Sequence, residues 1–370
     1  MTDPEILTLR LSCHTTLPGH KAVSPAETFS RMASWCERHQ VQHDTYGEGE
    51  LVQAFEQKIA ALLDMESALF CVTGTMAQVT ALRLACEERG SQLVGLHPTS
   101  HILLHEKNNF QLLGHFTALQ IGNPHRPWSV KDLQAVPEKL AAAQYELPMR
   151  EIGGQLPPWE ELEAIKTYCQ QQDIHLHMDG ARLWEAATGY GRNLADVAKG
   201  FDTAYVSFYK GIGGLGGAML LGSAEFIAKA KVWMHRQGGS VFRRSPYVVA
   251  TAMQFDERLA SMPACFTRTQ ELYRLLASYP QFKTNPAAPQ SNMLHLHLPT
   301  DKDSAIAIRN RIAKNHGIWL FGNAVHTALP GQCMFEWYVG DQMLSLDDDA
   351  VRQALDLLAA EISNSQNTTQ

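Results

Sequence analysis

Paired cysteine motifs are missing from this sequence of 370 residues. Its seven cysteines are scattered, and no two of them have the CxxC spacing of zinc ribbons and redox sites. An odd number of isolated cysteines is typical of reduced thiols in a cytoplasmic protein and argues against a disulfide framework. A GxSxG elbow, an HExxH pair and an EF-hand loop are also missing, so nothing points to the hydrolases, peptidases and calcium sensors that carry them.

Long apolar runs and a surplus of positive charge are also missing. No apolar run approaches the roughly 20 residues that cross a membrane, and the N-terminus has no signal-peptide core. The chain has 31 lysines and arginines against 38 aspartates and glutamates, so its net charge is −7. An acidic chain is poorly suited to nucleic acids and anionic membranes. We therefore expect a cytoplasmic protein with neither of these as a partner.

Strand-like and helical segments alternate through about residue 222. This alternation predicts an α/β fold with a mostly parallel mixed sheet, covered by helices on both faces. Shorter strand and helix signals follow residue 291 and predict a small α+β domain. We expect an irregular N-terminal segment 1–45, a large α/β domain 46–260 and a small C-terminal domain 261–370.

Two apolar runs in the central stretch each lead to one charged residue. Asp179 ends the run IHLHMD, and Lys210 follows the run AYVSFY just before the glycine-rich turn GIGGLGG. A lysine at a strand end can form a Schiff base with pyridoxal 5′-phosphate (PLP). A buried carboxylate can keep the ring nitrogen of that cofactor protonated. Neighbouring parallel strands can place both residues at opposite ends of one cofactor.

A short polar turn links the strand-like run SALFCV to a helix. Gly74 and Thr75 lie at the start of that helix, where unpaired N–H groups and the positive end of the helix dipole favour a phosphate. Arg182, shortly after Asp179, can bind a substrate carboxylate as a planar fork. These residue types suit a phosphorylated cofactor and an amino-acid substrate.

Other interpretations of the central stretch stay open. The turn after Lys210 matches GxGxxG, the dinucleotide fingerprint, but that fingerprint requires a helix next and AMLLGS has the pattern of a strand. His175, His177 and Asp179 alternate and so face one side of a strand, as in a metal-dependent hydrolase. HxH pairs on strands are more often packed or hydrogen-bonded. A non-catalytic binding module is a third class.

The segment HMDGARLW, followed by VSFYKGIGGLGGAMLLG, closely resembles the threonine aldolase and β-eliminating lyase family of fold-type I PLP enzymes. Further segments match the family in the same order along most of the chain: HDTYGEGE, ALFCVTGTMAQ, SHILLHE and GGSVFRR. Several matches in order are more specific than any one of them. The resemblance implies the fold of aspartate aminotransferase.

The resemblance also implies roles for individual residues. Lys210 would hold the cofactor covalently, and Asp179 would pair with the pyridine nitrogen. His101 would stack on the ring and belongs with the catalytic residues. Arg182 would bind the substrate carboxylate, with Ser12 near it.

For the phosphate, the resemblance implies contacts from Gly74 and Thr75. The serine that precedes the lysine in the family is Tyr209 here, so Ser207 is a candidate to replace it. Arg243 would reach the phosphate of a neighbouring subunit, which implies a homodimer or homotetramer with shared active sites.

The late strand CMFEWYVG departs from the family pattern. The family places a second carboxylate-binding arginine on this strand, whereas this sequence has Glu336 and no arginine. A carboxylate would repel the α-carboxylate of a substrate, so either Glu336 points away or the substrate differs from a simple α-amino acid. The cofactor is therefore better determined by the sequence than the substrate is.

The expected reaction is the cleavage of the Cα–Cβ bond of a β-hydroxy-α-amino acid into glycine and an aldehyde. His101, or a water that it orients, is the expected base for the β-hydroxyl proton. A β-elimination on another amino acid uses the same site and is the alternative. No metal is expected in either reaction.

Overall fold

The computed structural model describes residues 3–368, and their side chains through residue 365. The helices are α1 Asp3–Ser12, α2 Pro25–His39, α3 Glu50–Leu62, α4 Gly74–Arg89, α5 His101–His105, α6 Asn109–Leu112, α7 Val130–Gln134, α8 Trp159–Gln171, α9 Leu183–Tyr190, α10 Leu194–Ala198, α11 Ala224–Arg236, α12 Ser245–Ala252, α13 Phe255–Leu276, α14 Lys302–His316, α15 Asp341–Leu344 and α16 Asp348–Thr368, with a 3-10 turn at Arg150–Ile152. The strands are β1 Thr15–Thr16, β2 Ser67–Cys71, β3 Leu93–Leu96, β4 Thr117–Gln120, β5 Ala142–Glu146, β6 His175–Gly180, β7 Thr203–Ser207, β8 Ala218–Gly222, β9 Lys283–Asn285, β10 Met293–Leu298, β11 Ile318–Trp319, β12 Val325–His326 and β13 Cys333–Tyr338.

The chain divides into two compact units. One unit comprises residues 23–261, and the other joins the residues up to 22 with those from 262 onward. The expected N-terminal segment 1–45 is therefore split between the two units. It is also not irregular, because it contains α1 and α2. Local signals explain α2: the Ser24 hydroxyl accepts a hydrogen bond from the Glu27 N–H at 3.1 Å, and Pro25 fits the first turn.

A seven-stranded sheet forms the centre of the unit 23–261, in the order β2-β8-β7-β6-β5-β3-β4. The five strands from β7 to β4 run parallel, while β8 is antiparallel to both of its neighbours. Every residue of β6, β7 and β8 is buried. Such continuous burial is what strands covered on both faces require. The carboxyl ends of β5, β6 and β7 consequently lie side by side at one edge of the sheet.

The second unit has its own sheet and core. Strands β12-β13-β10-β9 form an antiparallel sheet, and β1 pairs in parallel with β11. In β13, alternate residues are buried, and the rings of Phe321 and Phe335 stack at 4.2 Å in the core. The β1–β11 pairing explains why the first residues belong to this unit.

Within the described part of the chain, no helix is long and apolar enough to cross a membrane. The longest helices, α13 and α16, carry acidic residues in their first turns.

Candidate active site

Asp179 lies at the carboxyl end of β6, in the middle of the sheet. Its Cα is in register with Glu146 of β5 on one side and with Tyr205 of β7 on the other. The side chain is buried, and its Oδ1 accepts a hydrogen bond from the Ala181 N–H at 3.1 Å. No described residue donates to Oδ2. Burial raises the pKa of Asp179, and the charge of Lys210 opposes that effect.

Lys210 follows β7 at the same edge of the sheet. Burial is the main cause that lowers the pKa of its amine, and the charge of Arg182 adds to it, while Asp179 acts in the opposite direction. A lowered pKa increases the fraction of neutral amine, which is the nucleophilic form. Asp179 and Lys210, which the sequence placed at two strand ends, are therefore within electrostatic reach of one another.

The glycine-rich turn folds back on β7 and fixes the start of the segment that carries Lys210. The Gly214 N–H donates to the Phe208 carbonyl at 2.7 Å, and the Phe208 N–H donates to the Gly217 carbonyl at 3.2 Å. Gly217 has a φ of +92°, and a β-carbon there would collide with the ring of Phe70. Glycine is thus required for conformation and for space.

The N-terminus of α4 lies next to β7, the strand that precedes Lys210. Thr73 caps the helix, since its hydroxyl accepts from the Met76 N–H at 3.2 Å. A β-carbon on Gly74 would collide with the ring and hydroxyl of Tyr205, the register neighbour of Asp179. Gly74 is therefore in contact with the strand that leads to Lys210, and Thr75 follows it as an exposed residue. First-turn N–H groups at this place can bind a phosphate.

His101 begins α5 and is held by a buried carboxylate. Its Nδ1 lies 3.1 Å from Oε1 of Glu106, whose other oxygen accepts from the Asn109 amide at 3.1 Å. This hydrogen bond with Glu106 is the largest cause that raises the pKa of His101, and burial opposes it. With Nδ1 donating to Glu106, Nε2 is the atom that can accept a proton.

Glu106→Gln is expected to lower the pKa of His101, because the glutamine keeps the hydrogen bond but removes the negative charge. Activity that needs neutral His101 rises as pH rises through this pKa, so the acid limb of the pH–rate profile should move toward lower pH by about one pH unit. NMR titration of His101 gives the same quantity directly. Glu87→Gln, which removes the surface partner of Arg83, is the matched control. An unchanged His101 titration in Glu106→Gln would contradict the assignment.

Arg182 lies three residues after Asp179, at the start of α9. Its Nε is buried and has no hydrogen-bond partner among the described residues. A buried guanidinium nitrogen without a partner costs free energy, unless a ligand supplies the acceptor. The position of this nitrogen suits a carboxylate ligand near Lys210.

The other predicted phosphate contacts already have partners within the chain. The hydroxyl of Ser207 is fully buried and donates to the Ala181 carbonyl at 2.8 Å, so its proton is used inside the sheet. Arg243 donates from Nη1 to the backbone oxygen of Asp44 and, at 2.9 Å, to the hydroxyl of Thr45. That contact positions Arg243 beside the HDTYGEGE segment.

Ser12 and Glu336 belong to the second unit. Ser12 is the last residue of α1, is exposed and donates from its hydroxyl to the Leu9 carbonyl at 2.8 Å. Glu336 pairs in register with His295 and lies on the half-buried face of β13, opposite the core face that contains Phe335. Their predicted relation to the substrate stays a prediction.

Neither the dinucleotide site nor the metal site has the geometry that it requires. Strand β8 follows the GxGxxG turn, where a dinucleotide site requires a helix. His175 and His177 both hydrogen-bond to the Thr203 hydroxyl, at 2.7 and 2.8 Å, instead of converging on one point with Asp179. Burial lowers the pKa of both histidines. Among the side chains that the structure describes, no group of three His, Cys, Asp or Glu residues could hold a metal ion.

Glu146 and Arg150 are site residues that the sequence analysis did not identify. The protein interior and the adjacent charge of Asp179 raise the pKa of Glu146 to about 7. Its carboxylate accepts from the Arg150 N–H at 3.1 Å. The available signal was the position of Glu146 at the end of the strand-like segment QYE, in which Gln144 and Glu146 alternate.

Comparison with known proteins identifies the family of the chain. The family model of beta-eliminating lyases matches residues 26–299. The chain belongs to the beta-eliminating lyase family. The family prediction from the sequence motifs is thereby confirmed. The chain is 34% identical to a putative L-allo-threonine aldolase of Listeria monocytogenes, with a TM-score of 0.90 over 96% of this chain and 99% of that one. It is 27% identical to a low-specificity L-threonine aldolase of Eremothecium gossypii, over 81% of this chain and 78% of the relative.

A more distant enzyme shares the fold. A serine palmitoyltransferase of Sphingomonas wittichii is 18% identical, with a TM-score of 0.67 over 94% of this chain and 86% of that one. At this identity the likeness concerns the fold alone. The predicted fold-type I architecture, with its mostly parallel sheet, is thus confirmed for this beta-eliminating lyase family member.

Proposed function

We propose that the chain is a PLP-dependent lyase of the threonine aldolase type, which cleaves a β-hydroxy-α-amino acid into glycine and an aldehyde. The observation that carries this proposal is the proximity of Lys210 and Asp179 at the ends of adjacent strands. Relatives of the chain are named threonine aldolases. The proposed assembly is a homodimer or homotetramer in which Arg243 reaches the neighbouring site. Light scattering of the purified protein checks that assembly.

The residues present fit PLP. Lys210 offers an amine of lowered pKa, and Asp179 offers a carboxylate oxygen that no described residue occupies. The first-turn N–H groups of Gly74 and Thr75 suit the phosphate. Ser207 supports the backbone beside Asp179. When bound, PLP supplies an electron sink for the electron pair left at Cα.

Two further side chains act on the substrate. Arg182 binds the α-carboxylate through its fork and so orients the bond to be broken. His101 accepts the β-hydroxyl proton at Nε2 while Nδ1 stays hydrogen-bonded to Glu106. The raised pKa of His101 strengthens it as a base. Loss of the hydroxyl proton is what permits Cβ to leave as an aldehyde.

Turnover of L-threonine, L-allo-threonine and phenylserine tests the proposal. Purified protein with added PLP should release glycine and the matching aldehyde in equal amounts, at about 1 s⁻¹ or faster for a good substrate. Serine and cysteine are the comparison substrates. If ammonia and a keto acid form from these, with no glycine from any β-hydroxy amino acid, β-elimination replaces aldol cleavage as the function.

A further inference from the structure

The loop after β5 places Arg150 beside the proposed cofactor site. Its N–H donates to the carboxylate of Glu146 at 3.1 Å, and Glu146 is the register neighbour of Asp179. Arg150 follows Glu146 by four residues, and Arg182 follows Asp179 by three. Equivalent loops after adjacent parallel strands therefore present two arginines at the edge of the sheet that carries Lys210.

A second set of contacts ties the Arg150 side chain to the histidine of the site. Nη1 of Arg150 donates to Oε1 of Glu151 at 2.9 Å, and Nε2 of His105 lies 2.9 Å from the same oxygen. The rings of His105 and His101 are 5.1 Å apart. Arg150 is thus connected to Asp179 through Glu146, and to His101 through Glu151 and His105. Glu151 fixes the orientation of its guanidinium group.

The charge of Arg150 reaches the reactive amine. Arg182 and Arg150 are both among the groups that lower the pKa of Lys210, whereas Asp179 and Glu146 raise it. The Arg150 side chain is 36% exposed, so it lies at the border between the site and solvent. Two cations near one amine favour the binding of an anion between them.

We propose that Arg150 is a second binding residue for the α-carboxylate of the substrate, beside Arg182. This inference rests on the proposed function, since it assumes an amino-acid substrate at Lys210. A carboxylate offers about four lone-pair sites, enough for two guanidinium forks. Glu151 positions Arg150 for this contact. The substrate class is then an α-amino acid held by the arginines that follow β5 and β6.

Equilibrium binding tests this role without relying on turnover. Glycine, which has the α-carboxylate, and methylamine, which lacks it, are titrated into the PLP-loaded protein while the visible absorption is followed. Arg150→Met should weaken glycine binding roughly 10- to 100-fold, as expected for one charge-assisted contact, and leave methylamine unchanged. Arg150→Lys should fall between the wild type and Arg150→Met, because it keeps the charge but loses the fork.

Controls separate this proposal from a loss of folding and from failure of the proposed function. Arg192→Met removes an exposed arginine that stacks on Trp159 and should bind glycine as the wild type does. If Arg150→Met does not fold, Glu151→Gln should still weaken glycine binding several-fold. A wild type that binds glycine through Arg150 but cleaves no β-hydroxy amino acid overturns the proposed function alone.

Two outcomes overturn the role of Arg150. One is glycine affinity unchanged in Arg150→Met. The other is a loss confined to amino acids with an acidic side chain, such as 3-hydroxyaspartate, with glycine unaffected. That result would assign Arg150 to a side-chain carboxylate instead.

Discussion

Lys210→Ala is expected to abolish the visible absorption of the PLP-loaded protein and to lower kcat by at least about 10⁴-fold. The substitution removes the covalent link to the cofactor and a group that can move protons at Cα, and positioned acid–base groups alone contribute roughly 10²- to 10⁴-fold. Absorption spectra before and after dialysis measure the first effect. Glycine release from threonine measures the second. Added methylamine should restore a small part of the turnover, because it replaces the missing amine.

The same substitution should not destabilise the protein without cofactor. Burial lowers the pKa of Lys210 in the folded state, so below the unfolded pKa its charge opposes folding. Alanine removes that charge, and at pH 7 urea unfolding should occur at the same or a higher concentration. Lys131→Met, at an exposed lysine of α7, is the matched control for loss of a lysine. Turnover retained by Lys210→Ala without added amine would contradict the assignment.

The sequence was most informative where buried strands end. Asp179 lies at the end of one strand-like run and Lys210 shortly after another, and parallel strands bring such ends to one edge of the sheet. The residue after a strand was therefore predictable without any knowledge of contacts. Gly74 was predictable for a similar reason, since the turn between β2 and α4 has a local pattern. Its contact with Tyr205 was not, because the two residues are far apart in the sequence.

The residues that the sequence analysis missed depend on pairing between distant segments. Glu146 matters because β5 pairs with β6 in the register that places it beside Asp179. Arg150 is held by Glu151, which is itself hydrogen-bonded to His105, and no periodicity in the chain reveals these contacts. Register and loop contacts are tertiary properties, and a single sequence does not contain them in readable form.

The domain boundary at the N-terminus was missed for a related reason. Thr15 and Thr16 pair with Ile318 and Trp319, about three hundred residues away. Such a short strand has no hydrophobic pattern of its own. Helix α2 was different, because Ser24 and Pro25 form a local start signal in the sequence. The first error came from long-range pairing, and the second came from an overlooked cap.

Asp179→Asn is expected to leave PLP bound while lowering kcat by roughly 10²- to 10³-fold, the usual cost of removing one preorganised electrostatic partner. Asparagine has nearly the same shape, and its oxygen can still accept the Ala181 N–H. It lacks the negative charge that keeps a ring nitrogen protonated. The visible absorption should therefore persist, because Lys210 is intact, whereas glycine release should fall.

Stability and a matched variant separate this charge effect from damage to the fold. Burial raises the pKa of Asp179 in the folded state, so above that pKa its ionised form opposes folding. Asp179→Asn without cofactor should accordingly be at least as stable as the wild type at pH 7 in urea. Asp202→Asn, at the opposite end of the sheet where the carboxylate accepts from the Leu176 N–H at 2.7 Å, should keep full activity. Equal losses in both variants would show that the negative charge at Asp179 has no special role in the reaction.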